Sequence, residues 1–389
     1  MKKRMIALLM ILVLGLSCLT ACGDKDDDEK KGKKKSAKSY ETVYDVVDAM
    51  QEFKKGTVIL TIDADAGEDG IIKGTINAVC DGKGNFKLGI AADVNTKDQK
   101  FSVSADDILI VKDKMAYINL GAILKAADMI AGEGISEMFA DMKLGYFAIP
   151  LPDDLDTAAA FDTVNTTVSG TGDFLRAALK DAEVKGEDGD FTVKFTNAQS
   201  YKTFIGATAD YIEKKTPELT KAVNTEDLKK IDLNAYVKKL LDYYGEDINI
   251  LAGAIGIEQA QVDALIEQIK AQDLNAALAG AVDEKLGNTD ALKSELAEAV
   301  TELRKTAEQI TDEQVKDQQL EFNVKVTDAG YKIKGNAVLK ENNKEVKIDY
   351  SVRISEDVSS ISAPSDITRL RDFKDLVASL GGMIGGMMN

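Results

Sequence analysis

Two apolar periods take turns along the chain. After Ser39, which can cap a helix, Val43, Val46, Val47, Met50 and Phe53 fall on one side of a 3.6-residue repeat. The period then drops to two. Val58, Leu60, Ile62 and Ala64 alternate with Thr57, Thr61 and Asp63, which is the pattern of a half-buried strand. Ile72, Gly74, Ile76, Ala78 and Cys80 repeat it, and so do Phe86, Leu88, Ile90, Ala92 and Val94. The connectors at 66–70 and 81–85 are short and rich in Gly, Asp and Asn, as hairpin loops are. Segments 101–105, 108–111 and 115–120 continue an antiparallel meander with one polar face.

Helical spacing follows at 121–142, and Pro150 and Pro152 interrupt the chain after it. A helix is predicted at 174–182 and a strand at 191–196. Residues 201–316 are helical throughout, with Thr216-Pro217 as an N-cap followed by proline at the first helical position. Amphipathic stripes include Tyr236, Val237, Leu240, Leu241 and Tyr244, then Val262, Leu265, Ile266 and Ile269, then Leu274, Leu278, Ala281 and Val282. The clearest stripe is Leu292, Leu296, Ala299, Leu303 and Ile310. At Leu320 the two-residue period returns, through Phe322 and Val324, then Ile333, Gly335 and Ala337, then Val346, Ile348, Tyr350, Val352 and Ile354.

Strands on both sides of a helical stretch most simply share one sheet. The pattern therefore predicts an α+β fold: a twisted antiparallel sheet with helices, plus an all-helical insert. Residues 39–200 and 317–367 form the two parts of the β-rich domain, 201–316 the insert, and 368–389 a C-terminal helix and flexible tail.

The first residues are of another kind. Lys2, Lys3 and Arg4 precede an apolar run from Met5 to Leu16, and a small-residue site closes the segment, as in a signal peptide over 1–21. The run is too short to cross a hydrocarbon core, which takes about 20 apolar residues. Leu19-Thr20-Ala21-Cys22 resembles the lipobox of bacterial lipoproteins. That resemblance implies cleavage before Cys22 and a diacylglycerol on its sulfur, with palmitate among its acyl chains. Two acyl chains anchor firmly where one binds only marginally. Cys18 is a poor rival, because Gly15 stands where the box wants a large aliphatic. Residues 22–38 hold an acidic block and then a lysine block with nothing apolar to bury, so they read as a disordered tether.

Charge and composition exclude more than they identify. Removing residues 1–21 takes three bases and no acid, lowering the formal charge from −17 to −20. So acidic a chain repels phosphate backbones, and no nucleic-acid partner is expected. The chain has no histidine, which removes Ser-His-Asp and Cys-His pairs, imidazole acid–base catalysis and histidine-ligated zinc. It also lacks tryptophan, which weakens any sugar-stacking surface. After cleavage Cys80 is the only cysteine besides Cys22, so lipidation leaves no intramolecular disulfide.

Several motifs invite a function that a plainer account outweighs. Cys80 on an apolar strand face reads as a small buried hydrophobe before a reactive thiol. Asp63, Asp65, Glu68 and Asp69 form an acidic hairpin loop, since an EF-hand wants glycine where Glu68 stands. Asp153, Asp154 and Asp156 read the same way. Gly170-Thr171-Gly172 lacks the third glycine of a dinucleotide site. No catalytic residue, cofactor or metal site is assigned, and a Ser–Lys enzyme ranks last.

The leading helix, the antiparallel strands, Asp113 to Leu120 and a final strand ending Ile361-Ser362-Ala363-Pro364-Ser365-Asp366 resemble the LolA/LprG/LppX-like envelope lipoproteins. These are half-barrels whose concave face binds acyl chains. The resemblance implies a membrane-anchored, extracytoplasmic, non-catalytic protein binding lipid or another apolar ligand in a sheet–helix cavity. The alternative is an interaction lipoprotein that docks an envelope protein through its acidic helical insert. Either way Cys22 is the one assigned site residue. Cys22→Ala should abolish labelling by radioactive palmitate, and label retained by that variant would place the anchor elsewhere.

Overall fold

A computed structural model of the 389-residue chain describes residues 39–51, 55–97, 100–131, 139, 142, 144–153, 155, 171–222, 232–276, 289–341 and 344–378. The elements are α1 (Val43–Gln51), β1 (Gly56–Asp65), β2 (Gly70–Cys80), β3 (Phe86–Thr96), β4 (Lys100–Lys112), β5 (Met115–Asn119), α2 (Leu120–Ala131) and β6 (Tyr146–Pro150). There follow α3 (Thr171–Ala178), β7 (Glu183–Glu187), β8 (Asp190–Phe195), α4 (Ala198–Ala222), α5 (Leu233–Ala254), α6 (Gln259–Lys270), α7 (Thr289–Gln309) and α8 (Asp312–Val315). Strands β9 (Gln319–Thr327), β10 (Gly330–Glu341), β11 (Lys344–Ser355) and β12 (Ile367–Thr368) complete the described chain. The α+β class read from the sequence holds: helices accompany a twisted, unclosed, mostly antiparallel set of twelve strands.

The chain divides into two units, the first made of residues 1–107, 157–223 and 289–361 and the second of 108–156, 224–288 and 362–389. In the first unit the strands run β4-β3-β2-β1-β11-β10-β9-β8-β7. Its centre is the antiparallel pairing of β1 with β11, from Thr57 opposite Ser355 to Asp65 opposite Lys347. Alternation sends Val58 and Leu60 to one face with their partners Ile354 and Val352, and all four are buried. Helices α1, α3 and α4 cover that face, through Val46, Phe174, Leu179 and Phe204 against Phe191, Phe322 and Val324. Fully burying one such side chain contributes about 1.5–3 kcal/mol.

Helix α4 also packs on α7, with Ile205 and Ala209 against Val300, Leu303 and Ala307. The segment read as one insert is thus shared: α4 and α7 belong to the first unit, α5 and α6 to the second. In the second unit the strands run β12-β6-β5-β4, and β12 lies parallel to β6. Helix α5 rests on β6 there. Tyr244 stacks on Phe147 with ring centroids 5.6 Å apart and donates its hydroxyl hydrogen to the Ala148 carbonyl oxygen. Burial pushes that hydroxyl's pKa up to about 12.

Several expectations change. The first helix is capped by Thr42, whose hydroxyl accepts from the Asp45 N–H, and not by Ser39. Pro217 does not open a helix, because α4 runs through it and Thr216 donates to the Ile212 carbonyl one turn back. The turns of α4 before the proline pack on α7, so the helix is already established when the chain reaches Pro217. The two segments at 101–105 and 108–111 are one strand, β4, whose apolar alternation Asp106-Asp107 interrupts. Residues 361–366 are not a strand; Ile361 is merely buried, and β12 follows. The α7 stripe is carried by Val300, not Ala299, which is exposed.

Gly335 on β10 stands opposite Tyr350 on β11. A Cβ added there would collide with the Tyr350 ring, so glycine is the residue that lets the ring lie flat on the strand. Gly335→Ala is expected to lower stability by about 1–3 kcal/mol in a urea titration.

Candidate functional site

The sheet of the first unit carries two chemically different faces, and helices cover only part of the apolar one. Under β9, β10 and β11 the apolar face is closed by helices. The same face continues onto β2 and β3 through cross-strand pairs: Ile72 with Val94, Ile76 with Ile90, and Ala78 with Leu88. These pairs share the face of Leu60 and Val58, since Ile76 is opposite Leu60 and Ala78 opposite Val58. Yet Ile72 is 47% exposed, and Ile76, Leu88, Ile90 and Val94 are only half-buried. A partly bare apolar ladder therefore extends from a closed core.

The opposite face is polar and ordered in rows by the strand register. One row reads Thr61, Ser351, Lys334, Asn323 and Thr192 across β1, β11, β10, β9 and β8. The next reads Lys73, Asp63, Asp349, Asn336, Glu321 and Lys194. Thr61, Asp63, Ser351, Lys334 and Asn336 help line an open pocket of about 500 Å³. The Asn336 side-chain oxygen is buried without a hydrogen-bond partner. On the other side of the Lys334 row, Lys332 stands opposite Arg353. Lys332 is held below the usual lysine pKa, first by the charge of Lys334, then by burial, then by Arg353.

In the second unit, Asp247 is fully buried on α5 and accepts from Arg369 Nε at 3.1 Å and from Arg371 Nε. Arg371 also meets Glu246 at 2.8 Å, and Arg369 lies over the Tyr243 ring, 5.4 Å from its centroid. This cluster pins residues 369–373 to α5, and its groups are consumed by one another. It is a fastening, with no group left over for chemistry.

The sequence candidates are placed as follows. Cys22 and its lipobox lie outside the described residues, as do Asp154, Asp156, Gly170 and the Gly/Met-rich C-terminal tail. In the acidic loop, Asp63 pairs with Lys73 at 3.0 Å and Asp69 with Lys97 at 3.6 Å. Asp65 instead accepts the Gly67 N–H at 2.7 Å, closing a turn. Asp153 pairs with Lys239 at 2.5 Å. Thr171-Gly172 simply opens α3. The α7 stripe is spent on α4.

Cys80 is buried at 4% exposure, as a small hydrophobe would be, but it is also disulfide-bonded. The expectation of no intramolecular disulfide concerned the cleaved, lipidated chain, whereas this bond belongs to the full 389-residue chain. The other cysteines in the sequence are Cys18 and Cys22, both outside the described residues. The pairs Asp247–Arg369/Arg371 and Lys332–Arg353 were missed from sequence. Asp247 is 122 residues from Arg369 and meets it only by packing, while Lys332 and Arg353 meet only through the β10–β11 register.

Among the described residues no helix is long and apolar enough to cross a membrane. Compared with known proteins, the chain matches no family model, no curated protein and no solved structure.

Cleavage before Cys22 would remove Cys18, and a thioether on Cys22 would consume its sulfur, so anchor and disulfide exclude each other. The lipidated mature chain should therefore show Cys80 alkylated in denaturant without reduction, and the uncleaved oxidised chain only after reduction. Mass spectrometry of the alkylated peptides reads this directly. A mature chain whose Cys80 stays protected until reduced would contradict lipidation of Cys22.

Proposed function

We propose that this chain is a membrane-anchored extracytoplasmic lipoprotein, tethered through Cys22, that binds an apolar ligand such as a lipid acyl chain and carries out no catalysis. The observation that supports the reading is the apolar ladder on β2 and β3. It continues a core face but remains half-bare, with Ile72 at 47% exposure. An acyl chain laid along it would finish the burial that the helices complete under β9–β11. The helix-covered part of the sheet is filled by side chains, so the ligand belongs at this uncovered end.

A second reading, an interaction lipoprotein docking an envelope protein, is favoured by one feature. On α6 Leu265 and Ile269, one turn apart, are 53% and 37% exposed. Such a pair suits a partner helix or groove.

Native mass spectrometry of the chain from Ser39 onward should show co-purified lipid. A fluorescent fatty acid should bind, and Ile72→Glu with Val94→Glu should weaken its uptake at least about tenfold. A clean apo mass with no uptake would sink the lipid reading. Loss of a cross-linked partner in Leu265→Glu/Ile269→Glu, with fatty-acid uptake absent, would favour the second.

A further inference from the structure

Three cationic side chains sit together on the polar face of the first unit with no counter-charge of their own. Lys332 and Arg353 are direct cross-strand partners, and Lys334 stands two residues along β10 on the same face. Lys332 and Lys334 are close enough for the charge of Lys334 to hold the Lys332 pKa down. Among the described residues no carboxylate comes within 4.0 Å of any of the three.

The surrounding cations are treated differently. Lys325 has Asp190 at 2.5 Å, Lys194 has Glu321 at 2.8 Å, and Lys73 has Asp63 at 3.0 Å. The triad is thus ringed by satisfied pairs and left unsatisfied at the centre. Asp349, in the neighbouring row, is the nearby acid without a cation in reach, and it leaves the group positive. Like charges opposite one another on a sheet repel, and a chain of formal charge −17 has acids enough to have placed one here.

What the site offers a ligand is specific. Two lysines supply point charges, an arginine supplies a planar fork, and the hydroxyls of Ser351 and Thr61 continue the Lys334 row as further donors. That donor set suits a doubly charged tetrahedral oxyanion. The pocket beside Lys334 has room for the rest of a polar ligand, with Asn323, Asn336 and Thr192 on its walls and the carboxylates of Asp63, Glu321 and Asp349 there to receive its donors.

We propose that this face binds a phosphate group between Lys332, Lys334 and Arg353, with Ser351 and Thr61 donating to its remaining oxygens. The phosphate comes from a soluble phosphorylated molecule or from an anionic lipid headgroup. The site is on the face opposite the apolar ladder, so it stands or falls separately from acyl-chain binding.

The test uses the full chain with Cys22→Ala, which removes the proposed anchor. Inorganic phosphate is titrated calorimetrically at ionic strength held constant with chloride. Flotation with vesicles of phosphatidylglycerol, against vesicles of phosphatidylcholine, distinguishes the source. Saturable phosphate binding is expected, weakened at least about tenfold by Lys332→Gln/Lys334→Gln or by Arg353→Gln. Lys185→Gln, whose lysine is paired with Glu183 on the edge strand β7, should leave it unchanged. Arg353→Lys keeps the charge and should keep most of the binding, and melting curves in chloride should show that no variant has lost its fold.

Binding of phosphatidylglycerol vesicles with the same variant pattern would assign the site to a headgroup. Phosphate binding without flotation would assign it to a soluble ligand. Neither phosphate nor vesicle binding, or an equal loss in Lys185→Gln, overturns the proposal.

Discussion

The pairing of β1 with β11 is the constraint on which the first unit depends. It joins residues about 300 positions apart, and closing so long a loop costs on the order of 5 kcal/mol. The buried residues on that seam, Val58, Leu60, Val352 and Ile354, each return about 1.5–3 kcal/mol, so their sum exceeds the closure cost. Without the seam, the strands of the first unit fall into two separate sets, β4-β3-β2-β1 and β11-β10-β9-β8-β7, each with a bare edge. With it, α1, α3 and α4 have a continuous apolar floor.

The seam also fixes what each face displays. A slip of one residue would send Leu60 and Val352 outward and bring Asp63 and Asp349 into the core. The register is therefore over-determined by burial on one side, and the polar rows on the other side follow from it. The grouping of Lys332, Lys334 and Arg353 is a by-product of hydrophobic alignment on the opposite face. The outermost strand β7 is guarded differently: all five of its residues are exposed, and Glu183, Lys185 and Glu187 charge an edge that would otherwise recruit another strand.

Much of this was legible in the sequence where one face is buried and the other wet. Strands β1, β2, β3, β9, β10 and β11 alternate apolar and polar residues, so the two-residue period predicts each of them, whereas the pairing of β1 with β11 comes from the structure. Elements that owe their form to tertiary contacts were not legible. Helix α4 runs on through Pro217, where the local signal reads as a helix start. Strand β7 has one apolar residue, Val184, and so no period to detect. The α5–α6 segment looks like its neighbours α4 and α7 in composition, yet it belongs to a different unit. The candidate sites fared alike. Acidic loops could be dismissed from spacing alone, while the cation triad needed the β10–β11 register before it could be seen.

The chain passes between the two units five times, at residues 107, 156, 223, 288 and 361. Neither unit is a continuous stretch of polypeptide, so no single cut or truncation would release one intact. The same interleaving bears on the order of events in synthesis. The central strand β1 emerges early but has no partner on one side until residues 344–355 have been made. Long-range pairing of this kind is slow. The sheet of the first unit is therefore completed only when nearly the whole chain has been made, although its local hairpins need no such wait.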